Sequence, residues 1–439
     1  MWKLRATCAT FALGLLTAAL PVAAQEATPP VTPEQPPLLE MLALVPAVPE
    51  AIAGTPFIGY IDYEAIEQAR EGVPVFQNWA AFNDSLEDMD DSARLWMQNS
   101  MRIVTGPDFY LRYLRQYATM EDLVGFDVFD IDRALVLGQP PARGIILQGD
   151  FDAEAVTEAY VARDYATGQN NGVVLLNRGD GEPGLTQSLQ TRDVANPFGG
   201  ELGRQEPIAV TDEYILNSPN DALLDAMVNA FVGYRRSLYT APEIAAAAEA
   251  VSIGQGQLLQ ALFLNPLEIA FPGIDPALLL TPNPDVEALL QPNSEFGPLP
   301  LYSAAVLADL QDGPNQVALI ALVYSDEATA RAAAEEVTQR IATLTPRGDD
   351  RLPSMLELTE GAQVNEPNVY FSPGTGNYVA LASVSYPMPP NVYISNSTGE
   401  PLEEGDSTDN AGYPASGRLF RLWFDNLMTR SFDILTVTE

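Results

Sequence analysis

Histidine is absent from this 439-residue sequence, and cysteine occurs once, at Cys8. Lysine also occurs once, at Lys3. Each scarcity removes a class of chemistry. Histidine is the side chain whose unperturbed pKa lies near neutrality, so a Ser-His-Asp triad and a Cys-His pair are excluded. Cysteine and histidine supply nearly all structural zinc sites and most catalytic ones, which removes zinc, haem and copper from consideration. A lone cysteine closes no intramolecular disulfide, so stability must come from an ordinary core. The length and the 47% hydrophobic fraction allow one.

Lys3 and Cys8 also sit where a secretory signal peptide would carry them away. Met1 to Arg5 is a short basic stretch, Ala6 to Leu20 is apolar, Pro21 breaks the run, and Val22-Ala23-Ala24 places small residues at a cleavage site. Residues 1–24 are therefore expected to be a signal peptide. The alternative is an uncleaved membrane anchor, since Ala6 to Ala24 approaches spanning length. Cys8 lies inside the apolar region rather than at its end, which argues against lipid attachment. Cleavage would leave 415 residues starting at Gln25 and move the net charge from −37 to −39, because Lys3 and Arg5 leave with no acid. The remaining chain would have no primary side-chain amine, so Schiff-base chemistry and a phosphate-loop lysine are also excluded.

What remains is carboxylate, hydroxyl, phenol, guanidinium and backbone. Those groups support glycoside hydrolysis by two acids, aspartic-protease chemistry with a shared proton, and calcium binding. The strong negative charge disfavours nucleic acid and anionic lipid, which are bound through Lys and Arg. No stretch after residue 24 is long and apolar enough to cross a membrane.

Residues 25–37 carry Pro29, Pro30, Pro33, Pro36 and Pro37 and are expected to form an extended linker. Beyond it the hydrophobic pattern predicts strands at Phe57 to Asp62, Ala134 to Leu137, Gly144 to Gln148, Gly172 to Leu176, Ile208 to Val210, Tyr214 to Leu216, Tyr302 to Leu310, Gln316 to Tyr324, Val369 to Ser372 and Tyr378 to Tyr386. Helical spacing predicts helices over Tyr63 to Arg70, Asp84 to Val104, Ala153 to Arg163, Pro219 to Val232, Pro242 to Val251 and from Asp326 to Leu344. Thr240 and Glu243 have capping-box spacing. A proline-rich irregular region covers Asn265 to Pro300.

Gly144 to Arg163 and Val317 to Arg340 share one layout: an apolar strand, an acidic turn, an Ala/Glu helix. The expected class is α+β, with two similar halves (38–238 and 239–439), each an antiparallel sheet with helices packed on one face.

Several motifs invite a functional reading. Asp127, Asp130 and Asp132 cluster before a strand, and Glu403, Glu404, Asp406 and Asp409 cluster in a loop. Both sets are calcium candidates, although neither has helix-loop-helix calcium spacing. Asp150, Asp152 and Glu154 suggest an acid–base pair or, more simply, acids that cap a helix, as Asp326 and Glu327 would. Gly254-Gln255-Gly256 and Gly374-Thr375-Gly376 lack the third glycine and the lysine of nucleotide loops and read as turns. Arg178-Gly179-Asp180 and Arg347-Gly348-Asp349 read as solvated turns. Phe109, Tyr113 and Tyr117 form a stripe suited to stacking on sugars or to the core. Leu419 to Met428 reads as a closing helix laid across the core rather than a membrane-surface helix.

Leu42-Ala43-Leu44-Val45-Pro46, Phe57 to Tyr63 and Gly149-Asp150-Phe151-Asp152 together resemble uncharacterised exported proteins of bacteria. The resemblance covers most of the chain after residue 24 and implies export, but no activity, cofactor or site residue. The expectation is therefore a non-catalytic extracytoplasmic protein, secreted or envelope-associated, that binds an envelope or extracellular ligand without a cofactor. The alternatives are a carboxylate-dependent hydrolase, such as a glycoside hydrolase, and a calcium-stabilised adhesion module. No catalytic residue is assigned.

Overall fold

Asn315–Tyr324 is apolar at nearly every position and buried throughout except at its first residue. A strand with one solvated face alternates; one this uniformly apolar has both faces covered. The computed structural model describes residues 35–88, 91–107, 114–177, 187, 189–253, 255–270, 296–346, 352–389, 394–395, 411–412 and 416–438. Pro36–Glu439 forms one compact unit.

The strands of its main sheet are β1 Ile58–Asp62, β2 Ile131–Leu137, β3 Gly144–Gly149, β4 Ala166–Asn170, β5 Val173–Asn177, β6 Ile208–Val210, β7 Tyr214–Asn217, β8 Gln257–Leu264, β9 Ala305–Asp312, β10 Asn315–Tyr324, β11 Gln363–Val364, β12 Asn368–Phe371 and β13 Tyr378–Pro387. Among the described residues they form one sheet of thirteen strands, ordered β11-β13-β10-β9-β8-β1-β2-β3-β7-β6-β5-β4, with β12 beside β13. Every pairing is antiparallel. The helices are α1 Pro37–Leu42, α2 Tyr63–Gln68, α3 Trp79–Glu87, α4 Asp91–Ser100, α5 Met120–Val124, α6 Ala153–Val161, α7 Asp221–Phe231, α8 Pro242–Ser252, α9 Pro266–Ile269, α10 Glu327–Ile341 and α11 Arg418–Met428.

The α+β class holds, and the strand order β1-β2-β3-β7 recurs as β8-β9-β10-β13. One sheet, however, runs through both segments, joined where β1 pairs with β8 from Ile58↔Phe263 to Ile61↔Gln260. Helices also cover both faces of it, not one. Tyr60, Leu135, Phe263, Leu319 and Leu381 point to the face covered by α1, α7 and α8. Ile61, Ala134 and Leu147 point to the other face, under α2 to α6. Leu262, Leu307, Ile320 and Ala382 share that second face, under α10 and α11. The physical reason is the uniform apolarity noted for β10, which a single helical layer leaves half-solvated. Each fully buried Leu, Ile or Phe contributes about 1.5–3 kcal/mol relative to exposure.

Local chemistry explains most boundaries. Asp152 accepts from the backbone N–H groups of Glu154 and Ala155, both at 3.0 Å, and so starts α6. Asp326 accepts from Thr329 N at 2.9 Å and starts α10. Asp152 and Asp326 are therefore caps. The expected helix over Asp84 to Val104 is instead the pair α3 and α4, with Asn78 capping Ala81 N at 2.9 Å. The Thr240 cap is also corrected: Ala241 holds the cap position of α8 without a side-chain bond, and Pro242 begins the helix. In α8 the residues Ala245 to Ala248 are all buried, since alanine alone lets the helix lie close to the sheet and to α1. Leu419, Phe420, Trp423 and Leu427 bury one face of α11 against the core, as a closing helix should. No helix among the described residues is long and apolar enough to cross a membrane.

Candidate functional site

A cavity of about 300 Å³ opens where β3 begins and β7 ends. Its floor is set by the sheet, through the pair Ile145↔Asn217. Its sides are the Pro140-Pro141 turn, Pro219 after β7, and the loop from Val194 to Glu206. That loop is folded on itself. Asp193 N donates to Gly200 O at 2.9 Å, Asn196 N to Asp193 O at 3.2 Å, and Arg204 N to Gly199 O at 3.0 Å. The Asn196 side chain accepts from Phe198 N at 3.1 Å. Phe198 is fully buried and packs on Phe126 with ring centres 6.3 Å apart, which anchors the loop in the core. Gly199 has φ +74°, and a Cβ there would lie 2.5 Å from Glu206 Oε1, so this position requires glycine.

The polar groups differ in exposure. Glu206, Asn196 and Asn217 are buried, whereas Arg143, Glu201 and Arg204 are half-buried. Burial pushes the Glu206 carboxyl above its ordinary pKa, against the opposing pull of Arg204, Asn217 and Arg143. Arg204 Nη1 lies 3.7 Å from Glu206 Oε1, a charge contact longer than a hydrogen bond. Asn217 donates to Pro207 O at 3.1 Å, which fixes its side chain at the cavity floor. Two guanidiniums and two carboxyls thus share one concave site in a chain of net charge −37.

On the same face of the sheet, the corresponding place in the second strand set is filled. There Gln316 pairs with Tyr386 across β10 and β13, as Ile145 does with Asn217. Arg102 occupies that place. It donates to both carboxylate oxygens of Asp309 at 2.7 Å and to Gln311 Oε1 at 2.6 Å. Gln260 Nε2 bonds Asp309 Oδ2 and Arg102 O, both at 2.9 Å. Gly417 N donates to Gln316 Oε1, and a Cβ on Gly417 would meet Arg102 Cγ at 2.6 Å. This cluster is saturated and closed, a structural clasp with no room for a ligand.

The sequence candidates fall elsewhere. Asp127 accepts from Trp79 N at 2.7 Å and Phe129 N at 3.1 Å. Asp130 accepts from Asp127 N at 2.7 Å. Together they form a capping box at the Val128–Asp130 turn. Burial raises Asp130 to about 6. It also raises Asp132, with repulsion from Glu64 adding to the shift. Among the described residues no group of three or more His, Cys, Asp or Glu side chains is placed to hold a metal ion. Glu403, Glu404, Asp406 and Asp409 lie outside the described residues, as do Phe109, Tyr113, Gly254, both Arg-Gly-Asp tripeptides and the expected signal peptide. Tyr117 is buried and packs edge-on to Trp79, with ring centres 6.3 Å apart, so it belongs to the core. The Ser372–Gly376 segment is a turn closed by Gly376 N to Ser372 O at 2.8 Å.

None of the cavity residues stood out in the sequence. The usable signal was Asn196-Pro197-Phe198-Gly199-Gly200, a dense run of turn residues around one aromatic, in a long connection between two short strands.

No protein-family model matches the chain, and no curated protein sequence matches it. Among solved structures, crystal forms III and I of TP0453 align at TM-scores of 0.31 and 0.32, each at 9% identity. They cover 78% of this chain, and 93% and 91% of their own. That likeness is too distant to carry an argument.

Proposed function

We propose that this is an exported, non-catalytic binding protein of the envelope or extracellular space, whose ligand enters the cavity beside β3 and β7. The observation that carries the reading is the convergence of Glu206, Arg143, Arg204, Asn196 and Asn217 on one concave site with a self-bonded wall. Export is supported by the basic, apolar and small-residue order of residues 1–24. A non-catalytic role is supported by the lack of imidazole, thiol and amine after residue 24.

The test is equilibrium dialysis of the protein against a small-molecule extract, read by mass spectrometry. The wild type should retain a compound that Val194→Trp, which narrows the cavity, does not. Equal retention by both would remove the cavity from the reading. Intact-mass measurement of the protein from its native host should give an N-terminus at Gln25; a mass that includes residues 1–24 would overturn the processing step.

One observation favours a second reading. Glu206 is a desolvated carboxyl in the same cavity as Glu201, the arrangement of an acid and its partner in glycoside hydrolysis. Turnover of chromogenic glycosides, abolished by Glu206→Gln, would establish it. No turnover across α- and β-linked substrates would dismiss it.

A further inference from the structure

Resting on the reading of the cavity as a ligand site, we infer that its ligand is a small zwitterion, a free amino acid or very short peptide, with its ammonium against Glu206 and its carboxylate at the arginines. Three features point there. The first is the difference in exposure between the carboxyl and the guanidiniums. Glu206 is buried, as are Asn196 and Asn217, all three at most 6% exposed. Arg143 and Arg204, which line the same cavity, are half-buried and so more open to solvent. A ligand that offers a donor to the carboxyl of Glu206 and an acceptor to the guanidiniums of Arg143 and Arg204 meets both signs of charge. An ammonium donates three hydrogen bonds and accepts none, and a carboxylate matches the guanidinium fork.

The second feature is charge balance. Arg143 and Arg204 are matched by Glu201 and Glu206 within the one cavity. A dianion or a dication would leave an uncompensated charge in a partly desolvated site, which is costly. A free anion would also approach against the field of a chain carrying −37. A zwitterion adds no net charge and meets both signs.

The third is slack in the existing pair. Arg204 and Glu206 stand 3.7 Å apart, not locked at hydrogen-bond distance. The filled site of the same sheet face shows the contrast, since Arg102 grips Asp309 at 2.7 Å through two nitrogens. An ammonium at Glu206 and a carboxylate at Arg204 would each form the short contact that the two residues do not make with each other. Pro141, Ile145, Pro197 and Pro219 supply apolar wall for the ligand's carbon body. A volume of about 300 Å³ sits at the small end of ligand pockets.

Isothermal titration with four probes tests this: L-alanyl-L-alanine, succinate, putrescine and glucose. The dipeptide should bind one to one, while the other three bind at least about tenfold more weakly. Glu206→Gln should weaken the dipeptide by about tenfold or more, as should Arg143→Ala. Thermal melts of each variant establish that it is folded. If Glu206→Gln does not fold, loss of dipeptide binding in Val194→Trp carries the test. Preference for glucose, succinate or putrescine would overturn the zwitterion and leave the cavity as a binding site. Binding of no probe would also overturn it, and dialysis against the extract would then decide the broader reading separately.

Discussion

Arg102 donates from Nε and Nη2 to the two oxygens of Asp309, each at 2.7 Å, with neither side chain exposed to solvent. The pair ties the segment after α4 to β9, 207 residues further along the chain. Removing one partner would leave a buried, uncompensated charge. Arg102→Met should therefore cost about 3–5 kcal/mol in urea denaturation, whereas Arg102→Met with Asp309→Leu should recover much of it. A single variant as stable as the wild type would contradict the clasp.

Asp127 serves two backbone amides, those of Trp79 and Phe129. Asp127→Ala should lower stability by about 1–2 kcal/mol. The loss should be the same in millimolar calcium and in chelator, because those oxygens are already engaged by N–H groups. A loss seen only in calcium would make Asp127 a metal ligand.

Asp130 has a folded-state pKa raised by burial from 3.8 to about 6. A raised carboxyl pKa means the folded chain holds the proton more tightly than the unfolded chain. Its contribution to stability is full below about pH 4 and is lost as pH rises through about 6. Asp130→Asn keeps an oxygen for Asp127 N but cannot ionise. Its melting temperature should exceed the wild type's at pH 8 and match it at pH 3.5. Equal melting at both values would dismiss the shift.

Arg340 holds the C-terminal tail. Its guanidinium donates to Ile434 O at 3.1 Å, Thr436 O at 2.8 Å and Gly297 O at 2.6 Å, while Nε engages Glu336 at 2.7 Å. Arg340→Met should speed hydrogen exchange at Val437 and Thr438, whose amides bond Ala270 O and Leu299 O, by about tenfold or more. Exchange at the buried strand β10 should change less.

Local patterns in the sequence were legible where one interaction dominates. The strand pair β9–β10 shows as two apolar runs around Asp312-Gly313-Pro314-Asn315, and Asp152 and Asp326 mark their helices by position alone. The pattern does not predict β8. Gln257-Leu258-Leu259-Gln260 alternates like neither period, and its glutamine at 260 is buried to satisfy Val104 N at 3.1 Å and Asp309, partners that only tertiary contact supplies. The join of the sheet at β1 and β8 therefore has no local signature either. The two covered faces were encoded in Val317 to Tyr324, whose unbroken apolarity fits strand length but not a solvated side. The cavity has no local signature because its polar residues come from three separated stretches, at 143, 196–206 and 217, and the pairing of β3 with β7 brings them together.

The seam between β1 and β8 has a practical consequence. Among the described residues each strand covers the other's outer edge, so a chain divided in the Gly233–Ala241 connection would leave both pieces with a bare, apolar border. Separately produced, such pieces should self-associate. Produced together, they should zip along that border into a working whole, which would make this architecture a natural candidate for a split reporter.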